Sequence, residues 1–219
     1  MNWWENKSKK INLVFEKESW ILPYVHELAK KIILNKYLVT LCEDYAKINF
    51  ADISFFLGCT KLASKDILEK SKKNLVVHES DLPNGKGFSP LTWHILEGCN
   101  TIPVCLIEIN DQVDSGNIIY KEVIEFEGHE LNPELKAKQG EKTIELCLKY
   151  LNEPKCPVGQ NQTGEPSYFK RRRPEDSKLN IDQSLREQFN LLRVVDNQRY
   201  PAYFELHGNK YIVKIEKNE

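Results

Sequence analysis

The chain has 219 residues, 41% of them hydrophobic and 29% charged, with a formal net charge of −1. That length builds one medium domain or one domain with a small appendage, and the apolar fraction excludes wholesale disorder. The near-zero charge argues against a general nucleic-acid or membrane-surface binder.

No apolar run approaches the ~20 residues that a membrane helix needs. The opening MNWWENKSKK carries charges with no apolar core after them, so it does not read as a secretory signal, and a cytoplasmic location is expected. Trp3 and Trp4 pack either on the body of the protein or on a partner. The six cysteines, at 42, 59, 99, 105, 147 and 156, form no C-x-x-C pair, zinc ligand set or disulfide framework. Reduced thiols and no metal are the expectation.

In chain order, residues 11–15 (INLVF) read as a buried strand. Residues 20–34 show apolar spacing of a helix, with Pro23 tolerated only in its first turn. Strands are predicted over 37–41 and 53–57, the latter ended by Gly58, then a short helix over 64–71. Residues 75–77 form a strand that delivers His78. A helix over 90–96, strands over 103–109 and 118–126, and a long amphipathic helix over 134–151 behind Pro133 complete a first unit, 1–151. Such alternation predicts an α/β fold: a Rossmann-like, mainly parallel sheet with helices on both faces. Ligands then bind beyond the carboxyl ends of strands, where His78 and the loop 110–116 are expected.

Residues 152–167 (NEPKCPVGQNQTGEPS) read as a linker. A C-terminal unit, 168–219, follows, with a helix over 184–195 and a β-hairpin turning at 207–209. The chain lacks G-x-G-x-x-G, G-x-x-x-x-G-K-[ST] and G-x-S-x-G, which removes several common α/β enzymes.

Two residues stand out for chemistry. A histidine at the position of His78 either caps its strand by bonding a carbonyl, or moves a proton and stabilises developing charge. His94, inside a helix, reads as structural. Asp114, in NDQVDSGNI, serves turn formation or, if the two strands are neighbours, holds His78 and sets its tautomer. The basic run 170–173 is either a solvated loop with internal ion pairs beside Glu175 and Asp176, or a diphosphate contact. Tyr168, Phe169, Tyr200, Tyr203 and Phe204 belong to a core or stack on a base.

The stretch HESDLPNGKGFSPLTWHILEG, followed by PVCLIEINDQVDSGNI, resembles the folate-dependent formyltransferases. The family pattern runs N-x-H, S-x-L-P, a glycine turn, S-P, a helix, and later D-[ST]-G. His78, Ser80, Leu82, Pro83, Gly87, Ser89, Pro90, Asp114, Ser115 and Gly116 match it. Val76 stands where the pattern has Asn, and Asn74 lies two residues earlier on the same face of the strand. FEKESWILP replaces the family's G-T-P-x-F-A loop. Upstream, FFLGCTKL resembles the wall of the folate pocket. Ser167, Tyr168, Arg171, Arg172, Pro174, Glu175 and Asp176 resemble the region after the catalytic domain in sugar-nucleotide N-formyltransferases, among them the domain acting on UDP-4-amino-arabinose.

The resemblance implies transfer of a formyl group from N10-formyltetrahydrofolate to the amine of a nucleotide-linked aminodideoxy sugar, in glycan or O-antigen synthesis. It implies catalysis by His78 and Asp114, with Asn74 as a weaker candidate. The folate would be held by Gly58, Leu62, Asn110, Asp111, Val113 and Asp114. The acceptor would be held by Ser80, Asn84, Gly85, Lys86, Tyr168 and Arg171. It further implies a homodimer, and the near-neutral charge and the lack of a long apolar run leave no nucleic acid and no membrane expected as partner. Two other readings stay open: a transformylase acting on a purine precursor or tRNA, and a folate- or nucleotide-binding protein without turnover.

Overall fold

The computed structural model describes Trp4 and residues 8–218, so Trp3 lies outside the described residues. The chain runs β1 (Lys10–Phe15), α1 (Leu22–Leu34), β2 (Leu38–Cys42), β3 (Ala51–Leu57), α2 (Lys65–Leu68), β4 (Ser71–His78), β5 (Lys86–Gly87) and α3 (Pro90–Leu96). It continues through β6 (Thr101–Glu108), β7 (Ile118–Glu125), α4 (Asn132–Asn152), β8 (Tyr168–Phe169), α5 (Phe189–Val194), β9 (Ala202–Leu206) and β10 (Asn209–Val213).

Six strands form one sheet in the order β2-β1-β3-β4-β6-β7. The first four are mutually parallel, while β6 runs antiparallel to β4 and β7 antiparallel to β6. The sheet is therefore mainly parallel, as the alternation of elements predicts.

Alternation along each strand divides the core in two. Leu13, Phe15, Phe55, Leu57 and Leu75 face the main core, built with Val25, Leu28 and Ile32 of α1, Ile95 of α3 and Ile144 and Tyr150 of α4. Val14, Phe56 and Val76 point to the other face, into a smaller cluster with Cys42 and Ile48. The long helices load onto the first face. The second is covered by short α2 and by loops, and that thinner cover leaves space above Val76. Trp4 is buried and packs edge-on against Tyr150, which settles it on the body of the protein.

Two elements differ from the pattern reading. The helix expected over 64–71 shrinks to Lys65–Leu68, because Ser71 and Lys73 are drawn into a ladder with Ala51 and Ile53. A four-residue helix has little cooperativity to resist that ladder. The helix expected over 184–195 is confined to Phe189–Val194, since upstream the Ser184 hydroxyl accepts from the Glu187 amide and the Gln188 side chain bonds the Asn180 amide and the Gln183 carbonyl.

The Pro- and Gly-rich segment 152–167 lies along the first unit. Gln160 bridges to Ile118, and β8 pairs with β5. Beyond it, Leu179, Leu192, Val195 and Ala202 make a small core under the β9–β10 hairpin. The hairpin turns at His207 and Gly208, both with positive φ (50° and 76°), the conformation that two-residue hairpin loops favour. Arg193 of α5, 1% exposed, docks this region by reaching Glu130 and Asn100.

Candidate active site

His78 ends β4, where Cys105 of β6 is its register partner. It is 5% exposed. Its Nε2 lies 2.8 Å from the Gly85 carbonyl, and its Nδ1 lies 3.6 Å from Asp114 Oδ2. A carbonyl only accepts, so Nε2 carries a hydrogen in this arrangement, and Nδ1 faces the carboxylate. The carbonyl contact foreseen for a strand-capping histidine is present, and the carboxylate foreseen as its orienting partner stands beside Nδ1.

Asp114 arrives by an indirect route. Because β6 is antiparallel to β4, the loop 110–116 leaves the opposite end of the sheet from the one at which β4 delivers His78, which corrects the expectation that both sit at carboxyl ends on one edge. The loop folds back over the face that holds Val76 and Ile107. Gly116 makes the fold-back possible: a Cβ on it would lie 1.6 Å from the Glu108 carbonyl oxygen. Asp114 adopts φ 47°, a left-handed conformation that Asp tolerates better than most residues. Gln162 fixes it from outside, donating to the Asp114 carbonyl (2.8 Å) and the Gly116 carbonyl (2.9 Å).

The turn after His78 locks onto the same carboxylate. The Gly87 amide donates to Asp114 Oδ2 at 2.8 Å. Gly87, at φ 100°, lies so close to β8 that a Cβ would come within 2.5 Å of the Phe169 carbonyl oxygen. Gly85 donates to Ser167 Oγ. Lys86 is buried and donates to Ser115 Oγ at 2.6 Å, bracing the Asp114 loop.

Three cavities adjoin at this centre. One, of about 330 Å³, lies under the 110–115 loop, between Phe56, Val76, Ile107 and Ile109, with Leu62, Val113 and Tyr45 on its walls. A second, of about 450 Å³, is lined by Arg171, Arg172, Arg173, Arg199 and Lys136, with Glu16, Glu18 and Asp196 among them. A third, of about 200 Å³, contains His78, Glu79, Asp114, Gln139 and Thr143. The third shares Val76, Gly87 and Asp114 with the first, and Trp20, Gly58 and Lys136 with the second. Burial holds the Lys136 ammonium down to about 8, against the pull of Glu79 and Asp196. Burial also pushes the Cys59 thiol, beside the first and third cavities, up to about 12, which removes it as a nucleophile near neutral pH.

The expected site residues separate as follows. His78 and Asp114 meet. Leu62, Asn110, Val113 and Asp114 line the first cavity, while Gly58 lines the other two. Asp111 is exposed on the same loop. Arg171 lines the arginine cavity. Gly85 and Lys86 are buried beneath the centre, and Ser80 is wholly buried. Asn84 borders a separate surface recess with Asp81 and Gln160, and Tyr168 is 64% exposed. Asn74 turns away and donates to the Leu68 carbonyl at 2.8 Å. The sequence reading missed Lys136, Gln139 and Thr143. Their signal is a run of polar residues at i, i+3 and i+7 on a helix face that is otherwise buried and apolar.

The formyl transferase family model matches residues 36–149, more than half the chain, from β2 into the last turn of α4. The chain belongs to the formyl transferase family. Among curated relatives, it is 30% identical over 179 residues to the bifunctional polymyxin resistance protein ArnA of Wigglesworthia glossinidia brevipalpis, covering 78% of this chain and 27% of that protein. The chain spans about half the length of the methionyl-tRNA formyltransferases it matches. Among solved structures, methionyl-tRNA formyltransferase from Clostridium thermocellum superposes with a TM-score of 0.81 at 24% identity, over 96% of this chain and 93% of that one. A 4-N formyltransferase from Francisella tularensis superposes at 0.71 and 19% identity, over 98% and 100%. These superpositions establish the formyltransferase fold. Among the described residues no group of His, Cys, Asp and Glu is arranged to hold a metal, and no helix is long and apolar enough to cross a membrane.

Proposed function

We propose that this formyl transferase family member moves a formyl group from N10-formyltetrahydrofolate to the amine of a nucleotide-linked aminodideoxy sugar, at its 4-position. The observation that carries this reading is the placement of His78 and Asp114 between two cavities of opposite character. The loop-covered cavity suits a flat heteroaromatic ring: Phe56, Val76, Ile107 and Ile109 offer apolar faces, and the backbone of residues 110–115 offers an edge of donors and acceptors. The arginine cavity suits a diphosphate, since guanidinium groups match phosphate oxygens.

The reaction follows from the pair. The neutral acceptor amine attacks the formyl carbon, forming the new C–N bond and a tetrahedral oxyanion. His78 donates to that oxyanion, turning from the Gly85 carbonyl or sharing its hydrogen. Asp114 orients His78 and takes the proton that the amine loses. As the oxyanion collapses, the bond from the formyl carbon to N10 breaks, and the proton leaves on N10. Atoms balance with no oxidant or metal.

The protein is read as a cytoplasmic homodimer joined through the β9–β10 hairpin, where Tyr211 and Ile212 are exposed. Relatives named for methionyl-tRNA favour a second acceptor, and the arginine cavity would then hold the phosphates of an RNA end. End-point mass spectrometry with N10-formyltetrahydrofolate and a panel of TDP-, UDP- and GDP-linked amino sugars, beside methionyl-tRNA, separates the two. A formyl mass gain on a nucleotide sugar supports the proposal. A gain on methionyl-tRNA alone overturns it.

A further inference from the structure

The chemistry above leaves a row of three polar side chains unused. Glu79, one residue past His78, is buried. Gln139 and Lys136 project from α4 one turn apart. Gln139 Nε2 donates to Glu79 Oε1 at 2.7 Å, and Lys136 Nζ donates to Gln139 Oε1 at 3.0 Å. The Lys136 ammonium also stands 4.1 Å from the centre of the Trp20 ring. All three side chains line the cavity of His78, and Lys136 lines the arginine cavity as well. The row therefore marks the threshold between the two.

A carboxylate, an amide and an ammonium drawn out of water destabilise a fold relative to apolar side chains that would pack the same space. Their mixed sign defines what they can hold. A phosphate on this row would meet Glu79, and a cationic group would meet Lys136. A hydroxyl both donates and accepts, so it suits either end. Among the described residues, Glu79 accepts its bond from Gln139 through Oε1 only, and Gln139 Oε1 is the one hydrogen-bond acceptor of Lys136 Nζ, so both groups keep capacity at a cavity that they line.

We infer that Glu79, Gln139 and Lys136 form a specificity subsite that takes hydroxyl groups on the ring carrying the reacting amine, Glu79 accepting from one and Lys136 donating to another. This rests on the acceptor being a nucleotide-linked sugar. The phosphates go to the arginines next door, and the row reads the sugar itself. A site built to bond a hydroxyl discriminates strongly against an analogue that lacks it, because the buried polar groups are then left unpaired.

The test uses the full chain and whichever nucleotide-linked 4-amino sugar of the panel is turned over, together with counterparts that each lack one ring hydroxyl. Wild type is compared with Glu79→Ala, Lys136→Met and Lys136→Arg. Lys136→Met keeps the length of the stem, so the test survives if Glu79→Ala fails to fold. The expected result is a preference for the hydroxylated sugar in wild type, on the order of tenfold or more in kcat/KM. Lys136→Met and Glu79→Ala each lose the preference for one of these hydroxyls by raising the acceptor KM, with the KM for N10-formyltetrahydrofolate unchanged, and Lys136→Arg keeps part of the preference that Lys136→Met loses. Equal losses on all these sugars, or changes only in thermal stability or in the folate KM, overturn the subsite and leave the proposed function standing. No turnover of any nucleotide sugar by wild type overturns the acceptor reading and the subsite with it.

Discussion

The Asp114 carboxylate stands 3.6 Å from His78 Nδ1 although the two residues leave their strands in opposite directions. The Gly87 amide holds the same oxygen, so one turn and one loop close around a single carboxylate. If this pair does the chemistry, His78→Ala lowers kcat by on the order of 10²–10³, as loss of one oxyanion donor does. Asp114→Asn, which keeps the shape and removes the charge, lowers kcat by roughly 10². Steady-state kinetics with both substrates check this, and wild-type-like turnover in either variant contradicts the assignment.

Gly116 is the hinge of that arrangement. A methyl group there would collide with the Glu108 carbonyl, so Gly116→Ala must lift the loop and carry Asp114 away from His78. The expected outcome is a fall in kcat of at least about tenfold, since displacements near 1 Å from catalytic geometry have large effects. Circular dichroism and kinetics separate this from unfolding: the variant stays folded and slow.

Arg171 lines the arginine cavity, proposed for the acceptor, and stands 5.6 Å from the Phe88 ring centre. Arg171→Ala should raise the acceptor KM roughly tenfold and leave the folate KM unchanged. The difference between wild type and variant should shrink as salt is added, because ions screen charge pairs open to solvent. A variant whose folate KM moves instead would place the two cavities the other way round.

Glu130 joins the first unit to the C-terminal region through Arg193. Burial pulls its carboxyl up, but hydrogen bonds from the Glu127 and Gly128 amides and from Lys138 win and hold it at about 2, below the usual 4.5. A lowered folded-state value contributes stability that is present above about pH 4.5 and is lost as pH falls toward 2. The size is on the order of 3 kcal/mol. Glu130→Gln should therefore flatten the acid limb of the stability curve between those pH values. At neutral pH it should also destabilise by about 3–5 kcal/mol, because Arg193 is left buried without its countercharge. Urea unfolding across pH measures both.

Much of this architecture was legible because it follows local pattern. Short apolar runs gave β1, β3 and β4, and Pro133 gave the start of α4. The D-S-G turn was legible too, since left-handed Asp and a side-chain-free Gly leave a compositional trace. The reversal of β6 was not, because an antiparallel strand buried on both faces has the same composition as a parallel one. For that reason the route by which Asp114 reaches His78 could not be read. Lys86 shows a different limit: a lysine in a glycine turn suggests a phosphate contact, and only packing reveals that it is buried against Ser115. Lys136 and Gln139 were hidden in a helix whose outer face is also polar, so their inward direction depends on where α4 meets the sheet.

Formyl transfer between the two cavities at His78 is the proposal on which the other predictions rest. The most direct measurement is mass spectrometry of the amino-sugar panel after incubation with N10-formyltetrahydrofolate and either wild type or His78→Ala. Wild type is expected to give a formyl gain on one nucleotide-linked sugar, and the variant to lose it. A wild type that binds folate yet formylates no amine in the panel, or a His78→Ala variant that formylates at the wild-type rate, would contradict the proposal.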